Sequence, residues 1–295
     1  MKLNKSVFTL SVLVLALLAM SAAAAAPALT FTFTDVTVPV KGVTEVDSYA
    51  VNNAGCITGD YIDSASVQHG MVLCGKKLTT IDNKSCSSLI SFYGINSAGT
   101  VAGWCTGSSG EPIGFTWAKG KFTTISYPKS LGTEASGIND KGAVVGLYLD
   151  SAGAQHGFSL VGKKYTSIDV KGDTSANAWG INNAGQITVY AINSAGGYDS
   201  FLKTGSKLKA VKDPNAGTTG TVVHTPNNKG DIDGTYFNSA GQAVGFLLHG
   251  GKYYDVKDPK ANNSTRDDGL NDKLVMVGRY SPASGANVGF KATTK

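Results

Sequence analysis

The chain has 295 residues, 42% of them hydrophobic, which is enough to bury a sizeable core in one large all-β domain or two ordinary domains. Its formal charge of +5 falls to +3 without Lys2 and Lys5, leaving 24 basic against 21 acidic residues, and only Arg266 and Arg279 are arginines. So weak a balance, carried by lysines that cannot fork onto phosphate, argues against nucleic acid as a partner.

Lys2 and Lys5 precede an apolar run from Val7 to Met20 and the small-residue tract SAAAAAP. Together these are the parts of a secretory signal peptide. Residues 1–26 are expected to be removed, leaving 27–295 as a single domain exported to the periplasm or beyond the cell. The apolar run is shorter than the about 20 residues that a membrane-spanning helix needs. No second run of that length follows, so the mature chain is expected to span no membrane.

The cysteines Cys56, Cys74, Cys86 and Cys105 all lie in the first third, and an exported chain meets an oxidising compartment. Strands from about Cys56 to Ile62 and from Gln68 to Cys74 flank the turn DSASV. If that hairpin is centred on Ala65, Cys56 faces Cys74, and opposed positions in an antiparallel pair are close enough to bridge. The expected disulfides are therefore Cys56 with Cys74 and Cys86 with Cys105. A zinc site is the rival reading, but no pair has CxxC spacing.

From residue 52 onward the chain repeats itself. Copies of the unit GINDKGAVVGLYLDSAGAQHGF are anchored on Asn52, Asn96, Asn139, Asn182, Asn227 and Asn271, spaced 44, 43, 43, 45 and 44 residues apart. Three positions on stand Gly55, Gly99, Gly142, Gly185 and Gly230, with Leu274 departing. Asn-x-x-Gly between short apolar segments is turn chemistry, because Asn initiates and Gly supplies a positive φ. A strand such as AVVGLY follows, then a second turn of the DSAG type. The third strand carries a large apolar residue in every copy: Met71, Phe115, Phe158, Phe201, Phe246 and Phe290. A fourth strand, such as GKFTTIS or KKYTSID, is rich in β-branched and aromatic residues. No stretch after the leader has sustained helical periodicity, so the fold class is all-β.

Four antiparallel strands repeating at this period are the signature of a β-propeller blade. After Phe290 the sixth copy is too short for a fourth strand, whereas FTFTDVTVPV from Phe31 resembles one and has no repeat ahead of it. The expectation is a six-bladed β-propeller of four-stranded antiparallel blades, with the N-terminal strand completing the last blade. A linear β-solenoid with capped ends is the competing arrangement.

With GINxxGxVVGxY, DSAGxxHGF and GKKYTSID in one unit, the sequence resembles the extracellular HAF-repeat family over nearly all of the mature chain. The His-Ala-Phe-like segment reads HGM at His69, IGF at Ile113, HGF at His156, DSF at Asp199, VGF at Val244 and VGF at Val288. The resemblance implies secretion and a propeller-like repeat architecture. It implies no single activity, so no catalytic residue is carried over.

Few residues suggest catalysis. His69 and His156 share one repeat offset with Ile113, Val244 and Val288 and are read as packing residues, while His249, beside a Gly-Gly turn, is expected to be solvated. DIDG at Asp231 and RDDG at Arg266 lack the spacing of a calcium loop and are read as turn chemistry. Glutamates are confined to Glu45, Glu111 and Glu134, and neither a GxSxG elbow with partners nor a P-loop is present. No metal or cofactor is expected.

Function is instead sought where the copies differ. Three positions before the anchors stand Tyr49, Tyr93, Ser136, Trp179, His224 and Asp268; five before stand Asp47, Ser91, Glu134, Asn177, Val222 and Arg266. In a propeller these positions lie on the strand nearest the central channel. Tyr49, Tyr93 and Trp179 offer stacking faces, and Asp47, Glu134, His224, Arg266 and Asp268 offer directional hydrogen bonds, a mixture suited to sugars. The opposing reading has the aromatics packing between blades and the charges pairing at a solvated rim. The expected function is a monomeric, secreted binding or surface-interaction module for an extracellular polysaccharide or a cell-surface protein. The alternatives are a hydrolase or lyase using Asp47, Glu134, His224 or Asp268, and a purely structural envelope protein.

Overall fold

Each Asn-x-x-Gly turn predicted from the repeat closes a β-hairpin. In all six copies the anchor Asn side-chain oxygen accepts hydrogen bonds from the backbone N–H groups two and four residues on, as Asn139 does from Lys141 and Ala143. The glycine three positions on takes positive φ, 75° at Gly142. Leu274, the one departure, adopts φ 55° and packs its side chain on the last core cluster.

The computed structural model describes residues 29–295, and the expected signal peptide lies outside them. Strand β1 spans Phe31–Asp35. The first repeat gives β2 (Glu45–Val51), β3 (Cys56–Ile62), β4 (Gln68–Cys74) and β5 (Lys77–Ile81), and the second gives β6 (Ile90–Ile95), β7 (Val101–Thr106), β8 (Pro112–Ala118) and β9 (Lys121–Ile125). The third comprises β10 (Gly132–Ile138), β11 (Val144–Leu149), β12 (Gln155–Val161) and β13 (Lys164–Ile168); the fourth, β14 (Ser175–Ile181), β15 (Ile187–Ile192), β16 (Tyr198–Thr204) and β17 (Lys207–Ala210). Then come β18 (Thr221–Pro226), β19 (Ile232–Phe237), β20 (Ala243–His249) and β21 (Lys252–Val256), and finally β22 (Ser264–Leu270), β23 (Val275–Ser281) and β24 (Val288–Thr294).

The first four repeats each form a separate four-stranded antiparallel sheet in sequence order. A single parallel bridge, Ala243 to Ser264, joins the strands of the fifth and sixth repeats into one larger sheet. Strand β1 pairs antiparallel with β24, Phe31 opposite Thr294 and Asp35 opposite Phe290, at the place a fourth strand holds in the other repeats.

Among the described residues the apolar core is divided among six clusters, and most draw on two consecutive repeats. Phe92 and Phe115 of the second repeat pack with Val72 and Ile81 of the first; Val46 and Met71 of the first pack with Val277 of the sixth. Met71, Phe115, Phe158, Phe246 and Phe290 are almost fully buried, each burial stabilising by roughly 1.5–3 kcal/mol. The fourth repeat differs where Ser200 replaces the preceding glycine. Its hydroxyl donates to the carbonyl of Thr221 at 2.6 Å, and Phe201 beside it is only half-buried.

Both expected disulfides are formed, Cys56 with Cys74 and Cys86 with Cys105. Cys56 faces Cys74 and Ile62 faces Gln68 in the β3–β4 ladder, so the hairpin register is the one expected from the turn. Among the described residues no helix is long and apolar enough to cross a membrane.

Candidate functional site

The innermost strands β2, β6, β10, β14, β18 and β22 pack one against the next, and β22 packs back against β2. Each is interrupted by a shift in pairing with its second strand, between Ser48 and Ala50, Phe92 and Gly94, Ala135 and Gly137, Ala178 and Gly180, Val223 and Pro226, and Asp267 and Gly269. The residues left unpaired include Tyr49, Tyr93, Ser136, Trp179, His224 and Asp268, the positions three before the anchors. A bulge frees a side chain from the alternation of the strand and re-aims it, and here it does so in every repeat.

The re-aimed side chains meet one another. Ring centroids lie 4.5 Å apart for Tyr49 and Tyr93, 5.0 Å for Tyr93 and Trp179, and 5.0 Å for Trp179 and His224. Tyr93 reaches Trp179 although the third repeat stands between them, because Ser136 there is small. His224 Nδ1 lies 3.6 Å from Asp268, Arg279 donates to Asp268 at 2.8 Å, and the Arg279 guanidinium lies 5.0 Å over the Tyr49 ring. The circuit is therefore complete. The opposing reading is partly realised, since Tyr49 and His224 are buried in these contacts while Tyr93 and Trp179 keep part of their surface exposed.

The positions five before the anchors face a further variable set that the sequence reading missed. Asp47 lies opposite Asp60, Ser91 opposite Trp104, Glu134 opposite Leu147, Asn177 opposite Tyr190, Val222 opposite Thr235, and Arg266 opposite Arg279. The second member of each pair stands eight residues after an anchor, in four copies between a glycine and a tyrosine of the second strand. The signal was present there, masked by that recurring glycine and tyrosine on either side.

Their environments differ sharply. Burial pushes the carboxyl of Asp60 up to about 7, with Asp47 adding to it, although Asp60 accepts a hydrogen bond from Ser91 at 2.8 Å. Burial likewise pushes Glu134 up to about 7 and Tyr93 up to about 12. Burial also raises Asp47, against the pull of Arg279, whose Nε is 3.6 Å away. His224 is lowered by burial, and its Nδ1 donates to the carbonyl of Asp267 at 2.5 Å.

Trp179, Tyr190, Tyr198 and Phe237 border a cavity of about 130 Å³ that also includes His224, Arg266 and Asp268 in its walls. Asn177 donates to the Tyr190 hydroxyl at 3.0 Å, fixing that ring. Two residues of its walls carry a polar atom with no hydrogen-bond partner among the described residues, the indole N–H of Trp179 and the hydroxyl of Thr235. Apolar ring faces beside unsatisfied donors and acceptors are what the two sides of a pyranose require.

Other expected residues stand apart from this cluster. His69 and His156 stack on Tyr61 and Tyr148, each with ring centroids 5.1 Å apart, and each imidazole bridges two aspartates, Asp63 with Asp82 and Asp150 with Asp169. His249, expected to be solvated, keeps 42% of its side chain exposed and also pairs with Asp231 at 2.7 Å. The aspartates of DIDG and RDDG are not all turn residues: Asp233 lies in β19 and Asp267 and Asp268 in β22, all buried, because the adjoining strands extend through them. Among the described residues, no three His, Cys, Asp or Glu side chains are grouped to hold a metal ion.

Neither a protein-family model nor a curated protein matches the sequence. Solved structures do resemble it in fold. SapL1 lectin, solved with α-methyl fucoside, aligns with a TM-score of 0.55 at 11% identity, over 83% of this chain and 92% of that one. The fungal lectin of Aleuria aurantia, a six-bladed β-propeller, aligns with a TM-score of 0.53 at 11% identity, over 87% and 93%. AofleA from Arthrobotrys oligospora gives 0.51 at 10% identity, over 90% and 82%. At such identities the likeness is one of fold: the chain is all-β and built as a β-propeller.

Proposed function

We propose that this protein is an exported, six-bladed β-propeller, closed by β1 on the last blade, that binds saccharide at the channel mouth bordered by Trp179, Tyr190, Tyr198 and Phe237. The observation that carries the reading is the convergence on one cavity of four aromatic side chains, the polar and charged groups of His224, Arg266 and Asp268, and two residues with an unpartnered polar atom, Trp179 and Thr235. Closure draws support from the pairing of β1 with β24 and from the packing of β22 on β2. Export draws support from the two disulfides and from the leader-like first 26 residues, and membership of the HAF-repeat family from the repeat itself. The lectin neighbours bear on sugar recognition by analogy of fold.

The test is a glycan array probed with the wild-type protein and a Tyr93→Ala, Trp179→Ala double variant. The expected outcome is saccharide binding by the wild type that is lost in the variant while its circular dichroism is retained. Binding that persists in the variant removes the proposed site.

A further inference from the structure

The two arginines of the chain form a directly opposed pair, Arg266 in β22 against Arg279 in β23. Like charges facing each other across an antiparallel ladder destabilise it, and the second to fifth repeats do without them, placing Ser91 against Trp104 or Val222 against Thr235, while in the first, where Asp47 faces Asp60, burial raises both carboxyls and so favours their neutral forms. Packing therefore does not explain the pair. Arg279 is compensated by Asp268 at 2.8 Å and Asp47 at 3.6 Å. Arg266 is not: among the described residues its guanidinium has no carboxylate within ion-pair distance and makes no hydrogen bond.

Arg266 lies over the face of Phe237, 5.6 Å from the ring centre, an arrangement that leaves the in-plane N–H groups of the guanidinium free. Beside it is a polar cleft of about 390 Å³ walled by Ser264, Arg266, Arg279, Ser281 and Asn287, with no carboxylate among them. Ser281 lies opposite Ser264 in the same ladder and donates to Asn287 Oδ1 at 3.0 Å, which leaves the Asn287 amide N–H groups available. Arg266 and Arg279 also line the aromatic cavity, so the two spaces adjoin at the same two side chains. A planar fork, hydroxyls and an amide on one wall are complementary to an anion with several oxygens.

We propose that this cleft receives the anionic group, a carboxylate or a sulfate ester, of an acidic saccharide whose rings lie in the adjoining aromatic cavity; this rests on the saccharide-binding reading above. Arg266 supplies the forked contact, and Arg279, already balanced, positions it and adds charge.

Calorimetric titration of the wild type, Arg266→Gln and Lys121→Gln with an oligouronate, a sulfated oligosaccharide and a neutral oligosaccharide of the same length tests the proposal. The wild type is expected to bind at least one acidic ligand more tightly than the neutral one, and which acidic ligand binds identifies the anion. Arg266→Gln should weaken that binding roughly 10- to 100-fold, the range for a lost charge-assisted contact. Lys121→Gln, which removes an exposed lysine from β9, should leave it unchanged. Because Arg266→Gln relieves a like-charge pair, its melting temperature is expected to match or exceed the wild-type value; if it does fail to fold, Arg266→Lys, which keeps the charge and loses the fork, takes its place with the same expected weakening. Equal affinity for the neutral ligand, unaffected by the substitution, overturns the acidic specificity and leaves the saccharide site standing. Equal losses in Arg266→Gln and Lys121→Gln overturn it in favour of diffuse charge. Binding of none of the three ligands overturns both readings.

Discussion

Asn139 shows how much one repeated residue can carry. Its side-chain oxygen caps its own turn, while its amide donates at 3.0 Å to the backbone carbonyl of Asn182, the next anchor. The same bond recurs from Asn52 to Asn96, Asn96 to Asn139, Asn182 to Asn227, Asn227 to Asn271, and Asn271 back to Asn52. Aspartate would keep the turn and lose the donor. Asn139→Asp is therefore expected to destabilise by roughly 1–3 kcal/mol, the penalty for an unsatisfied buried partner, read as a fall in melting temperature of several degrees. Asp60 and Glu134 make a different prediction, because burial holds both carboxyls near 7, above their usual range. Such groups favour the folded state when protonated, so their contribution is complete below about pH 4 and is lost as pH rises through 7. Melting temperature should fall between pH 5 and pH 8, and Asp60→Asn should flatten that fall, by at most about 4 kcal/mol for a shift of about three units.

At the scale of elements, β1 joins parts of the molecule that are distant in sequence. Phe31 and Phe33 pack on the core cluster containing Phe290, whereas Val36 and Val38, just beyond the strand, are buried in the cluster containing Val46 and Met71. Asp35 adds an ion pair with Lys260 at 2.7 Å. Deleting residues 31–39 would uncover the edge of β24 and open two clusters at once. A large loss of thermal stability is expected by calorimetry, and unchanged melting would count against a closed ring. The inner strands carry the other lesson of this scale. Their bulges turn one residue per repeat towards its counterparts, so that chemical variety is gathered at one level while the flanking residues preserve the packing.

Across the whole molecule, the repeat divides scaffold from site. The all-β class, the hairpin registers, both disulfides and the positions of the buried aromatics were legible in the sequence, because turn chemistry and strand alternation act over a few residues and recur six times. Tyr93, Trp179 and Arg266 were legible as departures from the repeat. Arg279, Asp60 and Tyr190 were not, because they stand eight residues after the anchors in a strand that reads as scaffold, and the bulge in the facing strand shifts the register that brings them opposite the positions five before the anchors. The sequence by itself therefore determined the unit, its turns and the number of its copies. Only the tertiary structure decided which side chains meet: that Tyr93 reaches past Ser136 to Trp179, that Asp268 neutralises Arg279, and that Arg266 is left unpaired. The first of these joins residues two repeats apart and the others turn on which side chains the bulge in β22 re-aims, and the period of the repeat carries no information about either.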